Sequence, residues 1–180
     1  LQLMNKDTVG AFGTFDHLVE IDKHNPEAWG ARALLNIIME KRDEALEDYN
    51  QSIKLKTRNP NAYINRGILN YEKHKYRQAL ADYDKAIELD SVNVGALFNR
   101  ALLRNEVGDY HSAVDDLDEI CSNSGKIQSV LIRVNPGVEA HTHHYIQTAK
   151  IDSKFGFSIC NGDAENIVKY VKNKKNLLIE

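Results

Sequence analysis

Three closely spaced histidines, His141, His143 and His144, are the residues whose type and spacing most directly suggest chemistry, because imidazole is a common metal ligand. His141 and His143 could chelate one ion together from an extended loop. Apart from Glu139, no acidic or cysteine residue is spaced with them, and histidines in loops are usually solvated. The sequence therefore predicts no physiological metal site at these positions.

Support for a catalytic nucleophile is weak. Cys121 and Cys160 are isolated, without a Cys-x-x-Cys spacing, so they indicate neither a disulfide framework nor a zinc site. The serines stand in no nucleophile-elbow pattern, and the neighbours of Cys160 assign it no base. The prediction is a chain without catalytic residues, and the isolated thiols favour a reducing, cytoplasmic setting.

Arginines and aspartates recur together at a fixed spacing, which is the second pattern that could carry chemistry. The arginines are Arg32, Arg66 and Arg100. The aspartates are Asp48, Asp82 and Asp116. One interpretation is a basic stripe for an acidic ligand. The favoured interpretation is structural: each guanidinium is satisfied by a carboxylate from a neighbouring helix.

The part of the chain in which those charges lie repeats every 34 residues. Alanines mark this period at Ala45, Ala79 and Ala113, each followed four residues later by a large apolar side chain. One further period towards the amino terminus reaches Ala11, so a fourth copy is present as its second half only. Apolar residues recur at three and four positions, which predicts helix pairs that bury one face each and must stack on their neighbours.

Composition excludes several classes of partner. The 180 residues carry a net charge of −3, and acidic and basic side chains are interspersed, so neither a nucleic acid nor an anionic membrane is expected as a partner. The chain has no apolar run of membrane-spanning length and no signal-peptide pattern. It does not begin with Met, and we expect it to start inside a longer parent.

The repeated pattern resembles the tetratricopeptide repeat family. That family's order of bulky, small, small, aromatic and small residues is present twice in full. The first copy is Trp29, Ala33, Ala45, Tyr49 and Ser52. The second copy is Tyr63, Gly67, Ala79, Tyr83 and Ala86. A third copy departs from the pattern by placing Leu97 at the aromatic position and Ile120 at the last small one.

The resemblance implies a mainly α fold, a helical array that binds a peptide or a partner protein in a concave groove. The predicted units are a half repeat at 1–24 and full repeats at 26–59, 60–93 and 94–121. The predicted groove residues are Ile64, Asn65, Ile68, Phe98, Asn99 and Leu102. The positions at which the family clamps a carboxyl-terminal tail with Lys and Arg are occupied by other residues here, which disfavours that type of ligand.

Two interpretations of Asn65 and Asn99, one repeat apart, remain open. A carboxamide can both donate to and accept from a peptide backbone, so the pair could hold an extended ligand. Alternatively, the two side chains only bridge adjacent helices.

The period ends before residue 125, and the remaining residues have a different pattern. "KIQSVLIRV" is rich in β-branched residues and predicts a strand. "NGDAENIVKYVKNKK" predicts an amphipathic helix with Asn161 or Asp163 as its cap, and "LLIE" predicts a second strand. The helix's apolar face is formed by Ala164, Ile167, Val168 and Val171. The segment 125–180 is therefore predicted to be a parallel βαβ unit appended to the array.

The same segment resembles diaminopimelate decarboxylase, a pyridoxal-phosphate enzyme of lysine biosynthesis. "RVNPGVEAHTHHYIQT" and "DSKFGFSI" carry the likeness, which also accounts for the histidines. The family's Schiff-base lysine motif, phosphate-binding glycines and histidine-glycine-serine motif are not found. Lys154 lies in the family's Ser-Lys-Phe-Gly loop, which does not supply that lysine. Pyridoxal phosphate is thus expected only in the parent family, and no cofactor is predicted here.

A composite chain accounts for both resemblances, with a junction expected between about Ile120 and Gly125. The first hypothesis for function is a protein-interaction scaffold without enzymatic activity. The alternative is a catalytically incomplete fragment of the decarboxylase. The final repeat lacks the polar helix that usually covers an array's end. The tail is therefore expected to pack there through Val168, Val171 and Leu177, or to leave that end open to self-association.

Overall fold

The computed structural model describes residues 2–130, 132, 134–135, 157–158 and 162–179. Seven helices come first: α1 (Gln2–Ile21), α2 (Pro26–Ile38), α3 (Arg42–Lys54), α4 (Pro60–Glu72), α5 (Tyr76–Leu89), α6 (Val94–Glu106) and α7 (Tyr110–Ser124). The chain forms two compact units, Leu1–Leu103 and Arg104–Glu180. The three closely spaced histidines, His141, His143 and His144, together with Lys154 and Cys160, lie outside the described residues.

Helices α2, α4 and α6 begin at equivalent points of the period because asparagines precede them. Asn25 Oδ1 accepts a hydrogen bond from the backbone N–H of Ala28 at 3.0 Å, and Asn93 Oδ1 accepts one from Ala96 at 3.0 Å. Asn59 Oδ1 accepts from the N–H of Asn61 at 3.0 Å. These caps satisfy backbone donors that the first helical turn leaves unpaired.

The turns inside the helix pairs also repeat. Glu40, His74 and Gly108 occupy the same position of the period and have positive φ values of 61°, 56° and 86°. This left-handed conformation turns the chain from the first helix of a pair into the second. Only the third position holds glycine, the residue for which the conformation carries no steric cost.

The core of the first unit consists of the residues that the period predicts. Ala33 and Ala45 are fully buried and pack with Tyr49, while Ala79 and Tyr83 form an equivalent cluster one repeat later. A Cβ atom at Gly67 would lie 2.6 Å from Cε1 of Tyr83. The ring of Tyr83 can therefore pack against the backbone of α4 at this point only because residue 67 has no side chain.

The second unit adds short parallel strands and one helix to α7. Its elements are β1 (Gln128–Val130), β2 (Val134–Asn135), β3 (Phe157–Ser158), α8 (Asp163–Lys172) and β4 (Leu177–Ile179). β1 pairs in parallel with β4, and β2 pairs in parallel with β3. The predicted fold class is confirmed: the chain is mainly α, with a short α/β portion at its carboxyl end.

The predicted cap of α8 is wrong. The N-cap is Gly162, which has a φ of 83° and makes no side-chain capping bond, whereas Asp163 is the first helical residue. A backbone that enters the helix through a left-handed residue favours glycine over a capping side chain at that position. Asn161 lies outside the described residues.

An apolar cluster holds the second unit together. Cys121 of α7 packs with Ile167 and Val171 of α8 and with Leu177 of β4, and these four side chains are at most 7% exposed. The tail therefore packs on the last helix of the repeat pattern, as expected for Val171 and Leu177. Val168 is only half-buried, and Ile167 takes the central place instead.

Candidate protein-interaction surface

One face of the first helices of the pairs, α2, α4 and α6, carries large apolar side chains at the same repeat position. These residues are Leu34, Ile68 and Leu102, each one period from the next. Leu34 is 47% exposed, Leu102 is 52% exposed and Ile68 is half-buried. We call this face the first-helix surface.

Residues at the neighbouring positions of each helix complete the first-helix surface. A stripe at intervals of three and four residues lies on one side of a helix. In α2 the stripe is Glu27, Ala31, Leu34 and Ile38. In α4 it is Asn61, Asn65, Ile68 and Glu72. The part of α6 in the first unit contributes Gly95, Phe98, Asn99 and Leu102.

The predicted groove residues differ in how much surface they offer. Phe98 is 48% exposed and stands beside Leu102, so both can touch a ligand. Ile64, at the same repeat position as Phe98, is 7% exposed and packs in a core cluster with Ala86 and Ala96. Ile64 therefore contributes to the packing of the array, and the binding role of all six residues stays a prediction.

Asn65 and Asn99 use their side-chain amides in different ways. Asn65 Nδ2 donates to the hydroxyl of Tyr49 at 2.8 Å, which connects α4 to α3. Asn99 Nδ2 donates to the carbonyl oxygen of Gly95 at 2.8 Å, within α6. The bridging interpretation thus describes Asn65 but not Asn99, and each side chain has committed one donor inside the protein.

Tyr49 is a buried neutral group beneath this surface. Burial, the largest cause, raises its pKa to about 12, although the hydrogen bond with Asn65 opposes the shift. Burial also raises the pKa of Tyr83 above its ordinary range. Both phenols therefore stay protonated at neutral pH and cannot serve as bases.

The repeated arginines do not form a free basic stripe. Arg32 donates from Nε and Nη2 to the two carboxylate oxygens of Asp48 at 2.9 and 2.6 Å. Arg66 donates to Asp82 at distances from 2.5 to 3.2 Å. Asp48 and Asp82 are 4% and 3% exposed. The structural interpretation of the ladder is therefore confirmed for these two pairs.

Each of these arginines also reaches the second helix of the preceding pair. Arg32 Nη1 donates to Asp16 at 2.6 Å, and Arg100 Nη1 donates to Asp84 at 2.7 Å. At the equivalent place Arg66 Nη1 donates to the neutral Asn50 at 3.1 Å. We call each of these arginines, together with its acceptors named above, an arginine bracket.

Two sets of residues that stabilise this part of the structure could not be identified, or were not identified, from the sequence. The capping asparagines, Asn25, Asn59 and Asn93, recur once per period and could have been found from that spacing. The buried amides Asn36 and Asn70 each donate from Nδ2 to an aspartate of the ladder at 3.0 Å. These two amides also share a position of the period, but the direction of their side chains could not be read from it.

Polar contacts in the second unit fix α8 and β4 on α7. The hydroxyl of Tyr170 donates to Asp115 at 2.8 Å, and Lys174 forms an ion pair with the same carboxylate. The ring of His111 meets Tyr170 edge-on at 4.5 Å. Asn176 donates to Asp118 from its backbone at 3.2 Å and from its side chain at 3.1 Å.

The lysines described in this unit do not fit the cofactor of the decarboxylase family. A lysine that forms a Schiff base must lose its proton readily. Hydrogen bonding to Asp115, the largest cause, instead raises the pKa of Lys174, and Lys169 is paired with Glu165 at 2.6 Å. Lys126, Lys172 and Lys175 are exposed. No catalytic step is therefore assigned to these residues.

Neither a metal-binding cluster nor a membrane-spanning helix is found in the described part of the chain. No group of three or more histidine, cysteine, aspartate or glutamate side chains there is placed to hold a metal ion. No helix in that part combines the length and apolar character needed to cross a membrane.

Similarity to known families divides along the chain. Residues 60–92 match the tetratricopeptide repeat family, and residues 39–74 match a related family of TPR repeats. Residues 97–179 match the pyridoxal binding domain of the pyridoxal-dependent decarboxylases. The decarboxylase match begins inside α6 and so overlaps the predicted third repeat.

Curated relatives of the carboxyl-terminal part are diaminopimelate decarboxylases. The enzyme of Corynebacterium efficiens is 50% identical over 58 residues, which are 32% of this chain and 13% of the enzyme. That of Bacillus subtilis is 44% identical over 59 residues, or 33% of this chain and 13% of the enzyme. The chain thus spans about an eighth of the length of these relatives.

Solved structures resemble the fold of the repeats. MamA superposes with a TM-score of 0.62 at 19% identity, covering 69% of this chain and 72% of MamA. YrrB, described as a TPR protein with an unusual peptide-binding site, gives 0.61 at 16% identity over 68% of this chain and 63% of its own. The chain therefore contains tetratricopeptide repeats, followed by a segment that matches part of the pyridoxal-dependent decarboxylase family.

Proposed function

We propose that the chain is a protein-interaction scaffold whose first-helix surface receives a peptide or a segment of a partner protein. The observation that carries this proposal is the exposure of Leu34, Phe98 and Leu102, each about half exposed, on one face of the repeats. Large apolar side chains that recur on one exposed face are typical of an interaction site. The similarity to YrrB, which has a peptide-binding site, supports the same function.

The chemistry available on the repeats is consistent with binding alone. The buried carboxylates of Asp48 and Asp82 are neutralised by arginines, and the two buried tyrosines remain protonated. These groups stabilise the array and leave none of their charges for acid–base catalysis.

A displayed library of random peptides selected against the full chain tests the proposal. Selected peptides are expected to lose about tenfold or more in affinity when Leu102 is changed to Asp, because a charge then replaces a half-exposed apolar contact. The matched control is Val92→Asp, since Val92 is 58% exposed but lies in the turn before α6. Ligands that are indifferent to Leu102→Asp would contradict the proposal.

The decarboxylase alternative concerns the other part of the chain. We propose that this chain has no decarboxylase activity, since the family's Schiff-base lysine motif and histidine motif are not found in its sequence. A titration with pyridoxal phosphate, followed by the absorbance of an internal aldimine, is expected to give no such band. Release of carbon dioxide from diaminopimelate above a free-cofactor control would overturn this.

We also propose that the chain works in a reducing, cytoplasmic setting and that it can self-associate. A reducing, cytoplasmic setting is supported by Cys121, whose sulfhydryl is free and buried in the second unit. Burial, the largest cause, raises the pKa of this thiol, so it is a poor nucleophile at neutral pH. Light scattering over a concentration series measures whether the chain self-associates.

A further inference from the structure

We propose that an open cleft between α2 and α3 binds an arginine side chain of a partner protein. The cleft has a volume of about 500 Å³, and small-ligand sites in proteins span about 300–1,000 Å³. It shares no residue with the first-helix surface, so the inference goes beyond the proposed function. The lining residues are Trp29, Arg32, Glu47, Asp48, Asn50 and Gln51.

The cleft carries a negative charge that the protein does not neutralise. Arg32 donates to Asp48 and, from Nη1, to Asp16, so its single positive charge already faces two carboxylates. Asp48 also accepts a hydrogen bond from Nδ2 of Asn36 at 3.0 Å. Glu47 is exposed and forms no ion pair or side-chain hydrogen bond within the described part of the chain. Its carboxylate is therefore available to a cationic ligand, whereas an anionic ligand would find no uncompensated cation among the lining residues.

An indole ring in the same cleft favours a guanidinium over other cations. Trp29 is half-buried, and Cζ of Arg32 already lies 4.8 Å from the centroid of its ring. A guanidinium is flat, stacks on aromatic rings and presents a fork of N–H donors that matches a carboxylate. Gln51 lies one helical turn after Glu47, on the same side of α3, and its amide oxygen can accept a further N–H of that fork. An arginine can thus contact the indole, the carboxylate and the amide together.

The next repeat lacks these groups, although it keeps its own arginine bracket. One period after Glu47 the residue is Ala81, and one period after Gln51 it is Lys85. The packing of a repeat therefore requires neither the carboxylate of Glu47 nor the amide of Gln51. Both are available for binding, and the next repeat has a cation where a basic ligand would need an acceptor.

The fluorescence of Trp29 tests the inference, because this residue is the only tryptophan of the chain. The full chain is titrated with Nα-acetylarginine amide at constant ionic strength, and a saturable change in tryptophan fluorescence is expected. The matched control ligand is Nα-acetylcitrulline amide, which has nearly the same shape but no charge. Its affinity is expected to be about tenfold lower, because it forms no charge-assisted hydrogen bonds with Glu47.

Variants that copy the next repeat locate the contact. Glu47→Ala and Gln51→Lys introduce the residues found one period later, so the fold should be retained, which circular dichroism verifies. Each variant is expected to weaken the arginine amide about tenfold or more, since one removes the carboxylate and the other adds a repelling cation. Glu44→Ala removes an exposed carboxylate of the same helix outside the cleft, so this control should leave the affinity unchanged.

Three results would overturn the inference. They are the absence of a saturable fluorescence change, equal affinity for the citrulline amide, and weakening by Glu44→Ala as large as that by Glu47→Ala. Leu102→Asp, on the first-helix surface, should leave the arginine affinity unchanged. Failure of this inference and failure of the proposed function are therefore measured separately.

Discussion

The two compact units of this chain bury polar groups by different means. In Leu1–Leu103 the same arrangement recurs: a buried aspartate receives hydrogen bonds from an arginine and an asparagine of the first helix of its pair. In Arg104–Glu180, Arg104 donates to Asp116 at 2.7 Å. The contacts of Asp115 with Tyr170 and Lys174, and of Asp118 with Asn176, have no repeated counterpart among the described residues. The first unit repeats the same buried aspartate contact from pair to pair, whereas each polar contact of the second unit is different.

This difference predicts how well each unit tolerates single substitutions. An array in which each pair has its own bracket can lose one and keep its neighbours intact, because stability is approximately a sum over adjacent repeats. The second unit has one apolar cluster among its described residues, centred on Ile167, Val171 and Leu177. We therefore expect single substitutions to unfold the second unit more readily than the first.

The most severe test of this comparison is Ile167→Asp. Ile167 is 2% exposed, and burying an unpaired carboxylate there is expected to cost about 4 kcal/mol. Hydrogen exchange should then lose protection across 163–179 while protection in α4 and α5 persists. Asn166→Asp, at the exposed neighbouring position, is the control and should change little. An equal loss of protection in α4 would mean that the two units unfold together.

Asp82→Ala removes the buried acceptor of one bracket. Arg66, whose side chain is only 22% exposed, would keep its charge without this partner, so unfolding should become easier by about 3 kcal/mol. The control, Asp84→Ala, lies in the same helix and removes a carboxylate that is 55% exposed, with an expected cost of about 0.5 kcal/mol. Denaturant unfolding measures both, and equal costs would mean that burial does not decide the strength of a bracket.

Gly67→Leu sharpens the comparison by changing apolar packing within the array. The new Cβ would lie 2.6 Å from the ring of Tyr83, which is 2% exposed and has little room to move. Overpacking of this kind is expected to cost about 1–3 kcal/mol. Gly13→Leu is the control, because nothing lies within 4 Å of a Cβ atom there. A melting temperature as insensitive at Gly67 as at Gly13 would contradict the close approach.

The smallest expected effect is a pH dependence confined to the second unit. Burial, the largest single cause, raises the pKa of Asp115, but hydrogen bonds from Lys174 and Tyr170 outweigh it, and the net pKa is lowered. The stabilisation is therefore present above the unfolded pKa, about 4, and is lost as the pH falls through the folded value.

Asp115→Asn should accordingly reduce the acid sensitivity of α8 protection, measured by hydrogen exchange between about pH 5 and pH 3. Glu119→Gln, an exposed position of the same helix, is the control and should leave that sensitivity unchanged. An Asp115→Asn variant as acid-sensitive as the wild type would show that this contact does not stabilise α8.

Much of the fold could be predicted from the sequence, because the repeat places small and large side chains at fixed positions. Ala45 and Tyr83 could be placed in the core since small and large residues must alternate where helices cross. The site was less predictable. Ile64 and Phe98 share a repeat position, yet Ile64 packs in a cluster with Ala86 of α5 and Ala96 of α6, while Phe98 remains 48% exposed. Neighbours of this kind, and the rotamers that aim Asn65 at Tyr49, are tertiary properties that periodicity does not contain.

The arginine brackets have a mechanical consequence. Two junctions between successive pairs are closed by charged acceptors, Asp16 and Asp84, whereas the junction between α3 and α4 uses the neutral Asn50. That junction is reinforced by the exposed ion pair of Arg42 with Glu72, which salt screens. We therefore expect the array to be easier to stretch at high salt, because this junction also carries the exposed ion pair of Lys73 with Asp43.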